Sequence, residues 1–115
     1  MATKYRTDNY PYKVYTALLT QTGTSNPVAI VLENTTGINI TWNRSAAFNY
    51  NTNEGFSSNP SKISVLFTYQ NNGNIKSFGC YTYSTGPLYK VGIDLDPTGI
   101  AEGMIKSTIE IRVYN

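Results

Sequence analysis

The chain has 115 residues, a formal net charge of +2, 40% hydrophobic residues and only 14% charged residues. This length suits one domain, and the nine basic residues are scattered instead of forming the basic cluster that nucleic-acid binding requires. The sequence contains no histidine, which excludes Ser-His-Asp and Cys-His catalysis within one chain. We therefore expect no nucleic-acid partner and no enzymatic activity.

Residues 1–11 are polar, and we interpret them as an N-terminal arm that gains order by docking on a partner. Residues 12–115 are predicted to form a single β-sandwich domain. The first residues lack the apolar region of a signal peptide, and no apolar run approaches the roughly 20 residues of a membrane helix. These features predict a protein that is made in the cytoplasm, has no signal peptide and has no transmembrane segment.

Alternating apolar and polar residues predict short β-strands along the first half of the domain. The strand Tyr12–Gln21 is apolar on both faces, which is typical of a strand inside a sheet. Val28–Glu33 and Ile38–Asn43 are predicted to pair as a hairpin around the turn Asn34-Thr35-Thr36-Gly37. A further short strand is predicted within Ala46–Asn51.

The second half of the domain continues the same pattern. Lys62–Gln70 and Ile75–Tyr83 are predicted to be joined by a tight turn at residues 71–74, because Asn and Gly tolerate positive φ. Leu88–Leu95 and Ser107–Asn115 each carry one apolar face. The fold class is therefore all-β: a single-domain antiparallel β-sandwich, jelly-roll-like, or a small barrel, with about seven to eight strands.

Few side chains offer chemistry. The single cysteine, Cys80, lies in a predicted strand and is interpreted as a small buried hydrophobe. The acidic residues Asp94, Asp96 and Glu102 lack the spacing of an EF-hand loop and are interpreted as part of a turn. The sequence therefore predicts no catalytic residue, no cofactor-binding residue and no metal ligand, and it implies no cofactor.

Tyrosine is the most distinctive residue type, with ten in the chain. Exposed tyrosines can form a protein interface or a platform for sugars. Three tyrosines cluster in or beside the arm, and two share one face of a predicted strand. These five residues are the candidate interface: Tyr5, Tyr10, Tyr12, Tyr81 and Tyr83.

Four segments carry a resemblance to a known set of proteins. They are YKVYTALLTQTG (Tyr12–Gly23), PVAIVLENT (Pro27–Thr35), WNR (Trp42–Arg44) and IEIRVY (Ile109–Tyr114). In these segments the chain resembles small phage-encoded proteins that are common in phages of Bacteroidetes-type hosts. The resemblance implies a phage origin and a virion component made in the host cytoplasm, such as a capsid decoration, head-fibre or tail protein. It supplies no catalytic motif.

Two hypotheses of function follow. The first is a non-enzymatic phage virion structural protein that assembles with itself, as a homo-oligomer, and with other virion proteins. The alternative is a carbohydrate- or host-receptor-binding β-sandwich module, whose partner would be a glycan of the host surface. Two further hypotheses are a glycosidase, which needs two carboxylates about 5–10 Å apart across a cleft, and a small inhibitor of a host protein, which need not oligomerise.

Overall fold

The structure is a computed structural model, and it describes residues 11–70, 77–96 and 102–115. These residues form eight β-strands and one short 3-10 helix, Pro60–Lys62. The strands are β1 (Tyr12–Thr22), β2 (Val28–Asn34), β3 (Trp42–Ala46), β4 (Asn49–Thr52), β5 (Ile63–Thr68), β6 (Phe78–Thr85), β7 (Leu88–Leu95) and β8 (Gly103–Tyr114).

The strands form two four-stranded antiparallel sheets that pack as a β-sandwich, which confirms the predicted fold class. The first sheet has the strand order β2-β1-β8-β5, and the second has the order β3-β4-β7-β6. The pairs β1–β2, β3–β4 and β6–β7 are hairpins, whereas every other connection crosses from one sheet to the other. As predicted, β1 lies inside a sheet, between β2 and β8.

The core lies between the two sheets and is built from alternate side chains of the strands. Tyr15, Ala17 and Leu19 of β1 point inward and are completely buried. Val91 and Ile93 face them from β7 and are equally buried. The predicted apolar faces of β5, β7 and β8 are the faces that pack here. The other buried core residues are Ile40, Trp42, Tyr50, Phe56, Phe67, Tyr69, Leu95, Met104, Ile109 and Ile111.

The predicted hairpin around Asn34-Thr35-Thr36-Gly37 is wrong. Strand β2 pairs with β1, and β3 belongs to the other sheet. The reason is visible at Thr35, whose backbone N–H donates to the carbonyl of Val14 over 2.8 Å and whose Oγ1 accepts from the N–H of Val14 over 2.9 Å. These bonds hold the chain against β1 beyond the end of β2, and the following residues then cross to the second sheet.

The predicted pairing of the strands on either side of residues 71–76 is also wrong. Strand β5 pairs with β8, and β6 pairs with β7 in the other sheet. The register places Val65 opposite Ile111 and Phe67 opposite Ile109, so that apolar side chains of β5 and β8 share the inner face. The turn itself lies outside the described residues.

Most of the predicted N-terminal arm lies outside the described residues. Its last residue, Pro11, accepts a hydrogen bond at its carbonyl from the backbone N–H of Asn115, over 3.0 Å. The start of β1 is thereby joined to the end of β8. Across the described ranges, the chain has no helix that is both long enough and apolar enough to cross a membrane.

Candidate functional site

The candidate interface tyrosines that the structure describes, Tyr12, Tyr81 and Tyr83, do not form one site. Tyr5 and Tyr10 lie outside the described residues. Tyr12 lies on the outer face of the first sheet, where its ring meets that of Tyr114 edge-on with centroids 5.0 Å apart. The guanidinium of Arg112 lies 4.8 Å from the centre of the Tyr12 ring, at cation–π distance. Tyr12 therefore packs against side chains of its own sheet.

Tyr81 and Tyr83 are brought together on the outer face of the second sheet. Their ring centroids are 5.7 Å apart and their planes are tilted by 40°. The Tyr81 hydroxyl donates a hydrogen bond to Asn49 Oδ1 over 3.0 Å. These two tyrosines therefore lie on a different sheet from Tyr12, which is on the first sheet.

Amide side chains surround the two tyrosines. Asn49 Nδ2 donates to Asp94 Oδ1 over 2.5 Å, and Asn43 Nδ2 donates to Asn51 Oδ1 over 3.3 Å. We call this surface the tyrosine–amide face. Its members are Asn43, Asn49, Asn51, Tyr81, Tyr83, Gly92 and Asp94. The amides are not among the residues predicted from the sequence, although Asn49 and Asn51 alternate with the buried Tyr50 and Thr52 through β4.

A second exposed surface lies on β2, at the edge of the first sheet. Four large apolar side chains remain exposed there: Val28 (67%), Ile30 (53%), Val31 (49%) and Leu32 (58%). We call these four residues the β2 patch. The sequence predicted an apolar face on this strand but not its exposure. Long, apolar and exposed edge strands are uncommon, because their unpaired backbone groups invite pairing with another chain.

A groove runs beside the β2 patch and has a volume of about 350 Å³. One side is formed by Pro27, Val28, Ala29 and Val31, and the other by residues 39–42, the segment leading into β3. Ile40 and Trp42 form part of its wall, although both belong to the core and are almost completely buried. Such a surface can receive side chains of a strand that pairs with β2.

Glu102 is the centre of a polar cluster at one end of the sandwich. Its carboxylate pairs with Arg44 through two hydrogen bonds, from Nε over 2.7 Å and from Nη2 over 2.9 Å. The Tyr50 hydroxyl donates to Glu102 Oε2 over 2.7 Å, and the backbone N–H of Phe48 donates to the same oxygen over 3.2 Å. These contacts connect the β3–β4 hairpin with the start of β8.

The cluster controls the protonation of its members. The hydrogen bonds from Arg44, with further ones from Tyr50 and the Phe48 backbone, lower the pKa of Glu102 to about 2. Burial, together with the contact to Glu102, raises the pKa of Tyr50 far above its usual value. A carboxylate with such a low pKa is a poor proton acceptor near neutral pH. The cluster therefore acts as a structural connection between the two sheets.

Two of the acidic residues that the sequence assigns to one turn, Asp94 and Glu102, have different partners. Asp94 lies on the tyrosine–amide face, whereas Glu102 pairs with Arg44. In the described part of the chain, no group of three or more His, Cys, Asp or Glu residues is arranged to hold a metal ion.

A cleft of about 290 Å³ opens beside Lys13 and Lys62, and the described residues that line it include no Asp or Glu.

Cys80 is half-buried beside the core, in β6. Burial, together with the nearby carboxylate of Asp94, raises the pKa of its thiol to about 11. Because only the thiolate reacts, we expect a disulfide reagent such as DTNB at pH 8 to modify the folded protein roughly 100-fold more slowly than an ordinary thiol. The measurement is the rate of absorbance change, and guanidinium denaturation should restore rapid reaction. Equal rates in the folded and denatured protein would contradict this prediction.

The described residues thus define an antiparallel β-sandwich with two exposed surfaces, the β2 patch and the tyrosine–amide face. Comparisons with protein-family models, with curated proteins and with solved structures find no match to this chain. What the protein does must therefore be inferred from these two surfaces and from the sequence.

Proposed function

We propose that the protein is a non-enzymatic structural protein of a phage virion, and that it assembles with a second copy of itself through β2. The phage origin rests on the resemblance of the four segments described above. A capsid-decoration, head-fibre or tail position is consistent with that resemblance. The assembly mechanism rests on one observation, the exposure of the β2 patch at a sheet edge.

The chemistry of β2 favours pairing with another strand. Among the described strands, β2 pairs only with β1, so one edge of its backbone is open to another chain. Pairing would satisfy the N–H and C=O groups of that edge. It would also cover apolar side chains, which stabilises the contact by about 25 cal/mol for each Å² of apolar surface removed from water. No charged residue lies between Pro27 and Leu32 to oppose this contact.

A second copy fits this edge better than an unrelated strand. The only carboxylate in β2 is Glu33, next to the last residue of the strand. Two copies of β2 that pair antiparallel place their Glu33 residues at opposite ends of the contact, so like charges do not meet. The arrangement is a two-fold dimer, the commonest symmetry of homo-oligomers, and it joins two first sheets into one eight-stranded sheet.

The test is the solution mass of the purified protein, measured by light scattering after size exclusion at several concentrations. We expect about 26 kDa, twice the 12.8 kDa of one chain. The substitution Ile30→Lys places a charge in the centre of the β2 patch and should give a monomer. Leu66→Lys is the matched control, because Leu66 is an equally exposed apolar residue (54%) on β5 at the other edge of the sheet.

The outcomes separate the proposal from its alternatives. A dimer for the wild type and for Leu66→Lys, with a monomer for Ile30→Lys, supports assembly through β2. A wild-type monomer at every concentration overturns self-assembly and leaves a decoration protein that needs its capsid, a glycan-binding module or an inhibitor of a host protein. A dimer that persists in Ile30→Lys, or a closed ring of three or more chains, overturns the two-fold β2 contact.

A further inference from the structure

We propose that the tyrosine–amide face binds a neutral polysaccharide chain. This face lies on the second sheet, whereas the β2 patch lies at the edge of the first. The proposal is therefore independent of assembly through β2, and either can fail without the other.

The ring of Tyr81 lies directly over the backbone of Gly92. A Cβ atom at Gly92 would stand only 2.2 Å from Cζ of Tyr81 and 2.5 Å from its Cε2 and Oη. The ring can occupy this place only because residue 92 has no side chain. The hydroxyl end of the ring thus packs against the outer face of the sheet, and the side chain stays partly exposed to solvent.

Tyr83 places a second ring beside the first. Both residues lie on the outer face of β6, two positions apart, and the 40° tilt between the rings makes a shallow, open surface. The apolar C–H face of a sugar ring is attracted to the negative face of an aromatic ring. Two neighbouring rings on one strand therefore suit two units of an extended sugar chain.

The polar groups around the rings match the hydroxyl groups of a sugar. Asn49, Asn51 and Asp94 supply amide donors and carbonyl or carboxylate acceptors at the rim of the rings. The hydroxyl of Tyr81 donates to Asn49 Oδ1, which joins the ring to this polar rim. Binding sites for small molecules commonly combine an apolar surface with a few positioned polar groups in this way.

The charge of the face argues for a neutral ligand. Asp94 brings one negative charge to the outer face of β7, and Lys90, in register with Tyr83, brings one positive charge. The remaining members carry amides, hydroxyls or no side chain. A strongly acidic or basic polymer would find no matching excess of charge here.

The other pair of tyrosines on the surface does not offer such a platform. Tyr12 and Tyr114 have a similar separation of 5.0 Å, but their planes are inclined at 71° and Arg112 covers the Tyr12 ring. A sugar cannot lie flat on both of these rings. The Tyr12–Tyr114 pair is therefore a matched control of the same residue type on the other sheet.

The experiment is affinity electrophoresis of the full chain in native gels that contain one soluble polysaccharide each. The four probes are mixed-linkage β-glucan, galactomannan, xylan and dextran, which differ in their backbone sugars and linkages. We expect at least one to retard the wild type. Tyr81→Ala and Tyr83→Ala should each weaken the apparent affinity by about tenfold or more, because each removes one stacking ring. Tyr114→Ala should bind like the wild type.

Two further variants distinguish stacking from a general loss of structure. Gly92→Ala keeps both rings but pushes Tyr81 off its place, so it should weaken binding about as much as Tyr81→Ala. Tyr81→Phe keeps the ring and loses only the bond to Asn49, so it should retain most of the affinity. Thermal unfolding of each variant shows whether the fold is retained.

The proposal is overturned if none of the four polysaccharides retards the wild type. It is also overturned if folded Tyr81→Ala and Tyr83→Ala are retarded as strongly as the wild type, or if Tyr114→Ala loses binding to the same extent. The proposal is supported if the wild type is retarded and the Tyr81→Ala and Tyr83→Ala variants are not. Equal retardation of Ile30→Lys and the wild type would show that polysaccharide binding does not need the β2 contact.

Discussion

Replacing Ile111 by Ala is expected to lower the free energy of unfolding by about 2–5 kcal/mol. Ile111 is completely buried in β8, the strand that pairs with both β1 and β5. Its partners in register are Tyr15 and Val65, so the smaller side chain leaves a cavity between the sheets where neither neighbour can move in freely. Domains of this size are stable by only about 5–15 kcal/mol, so the loss is a large share.

The measurement is thermal unfolding, monitored by circular dichroism. For a domain of this length, about 4 °C of melting temperature corresponds to 1 kcal/mol, so we expect a decrease of about 8–20 °C. Leu66→Ala is the control, because Leu66 is exposed and its replacement should change stability by less than about 0.5 kcal/mol. A small, equal effect of both substitutions would show that Ile111 does not pack in the core as described.

Glu102 should make the stability of the protein sensitive to acid. Its folded pKa of about 2 lies below the ordinary value of 4.5, so its ionised form stabilises the fold. This contribution is fully present above about pH 4.5 and is lost as the pH falls toward 2. The melting temperature of the wild type should therefore decrease across this interval.

Glu102→Gln isolates this contribution. The variant cannot form the charged pair with Arg44. Its amide also has only one acceptor oxygen, where the carboxylate has two to accept from Arg44, the Tyr50 hydroxyl and the Phe48 amide. We expect it to be less stable than the wild type at pH 7 by about 1–3 kcal/mol. Because residue 102 no longer titrates, its melting temperature should decrease less between pH 5 and pH 2.

A surface ion pair provides the comparison at neutral pH. Glu110 pairs with Arg112 on the outer face of the first sheet, and both side chains are more exposed than the Glu102–Arg44 pair. Glu110→Gln should therefore change stability at pH 7 by less than about 1 kcal/mol. An equal loss in the two variants, or a pH profile of Glu102→Gln that follows the wild type, would show that the Glu102 cluster has no special role.

The strands and their buried faces could be predicted because they depend on local pattern. In β7, Val91, Ile93 and Leu95 alternate with Lys90, Gly92 and Asp94, and the structure buries the first set in the core, while Gly92 is buried on the outer face beneath Tyr81. Successive side chains of a strand point to opposite faces, so this alternation identifies the inner face without any knowledge of neighbouring strands. The all-β class and the number of strands follow from repeating the same reasoning along the chain.

The partners of the strands could not be predicted in this way. An alternating strand presents the same pattern to any neighbour, so local pattern alone predicts the wrong partner for Val28–Glu33 and pairs β5 with β6 instead of β8. Bonds between residues far apart in the chain decide the pairing, such as those of Thr35 with Val14. The same holds for the ion pair of Arg44 with Glu102, which are separated by 58 positions.

By itself, the amino-acid sequence determined that this is an all-β domain with alternating strands, without histidine chemistry, and with tyrosines paired on one strand. Only the tertiary structure decided which surfaces remain exposed. It placed β2 at a sheet edge, so that its apolar side chains face solvent, and it placed Gly92 beneath Tyr81, so that the end of the ring fits against the backbone. Exposure and stacking depend on which strands become neighbours, and this is settled when the two sheets pack together.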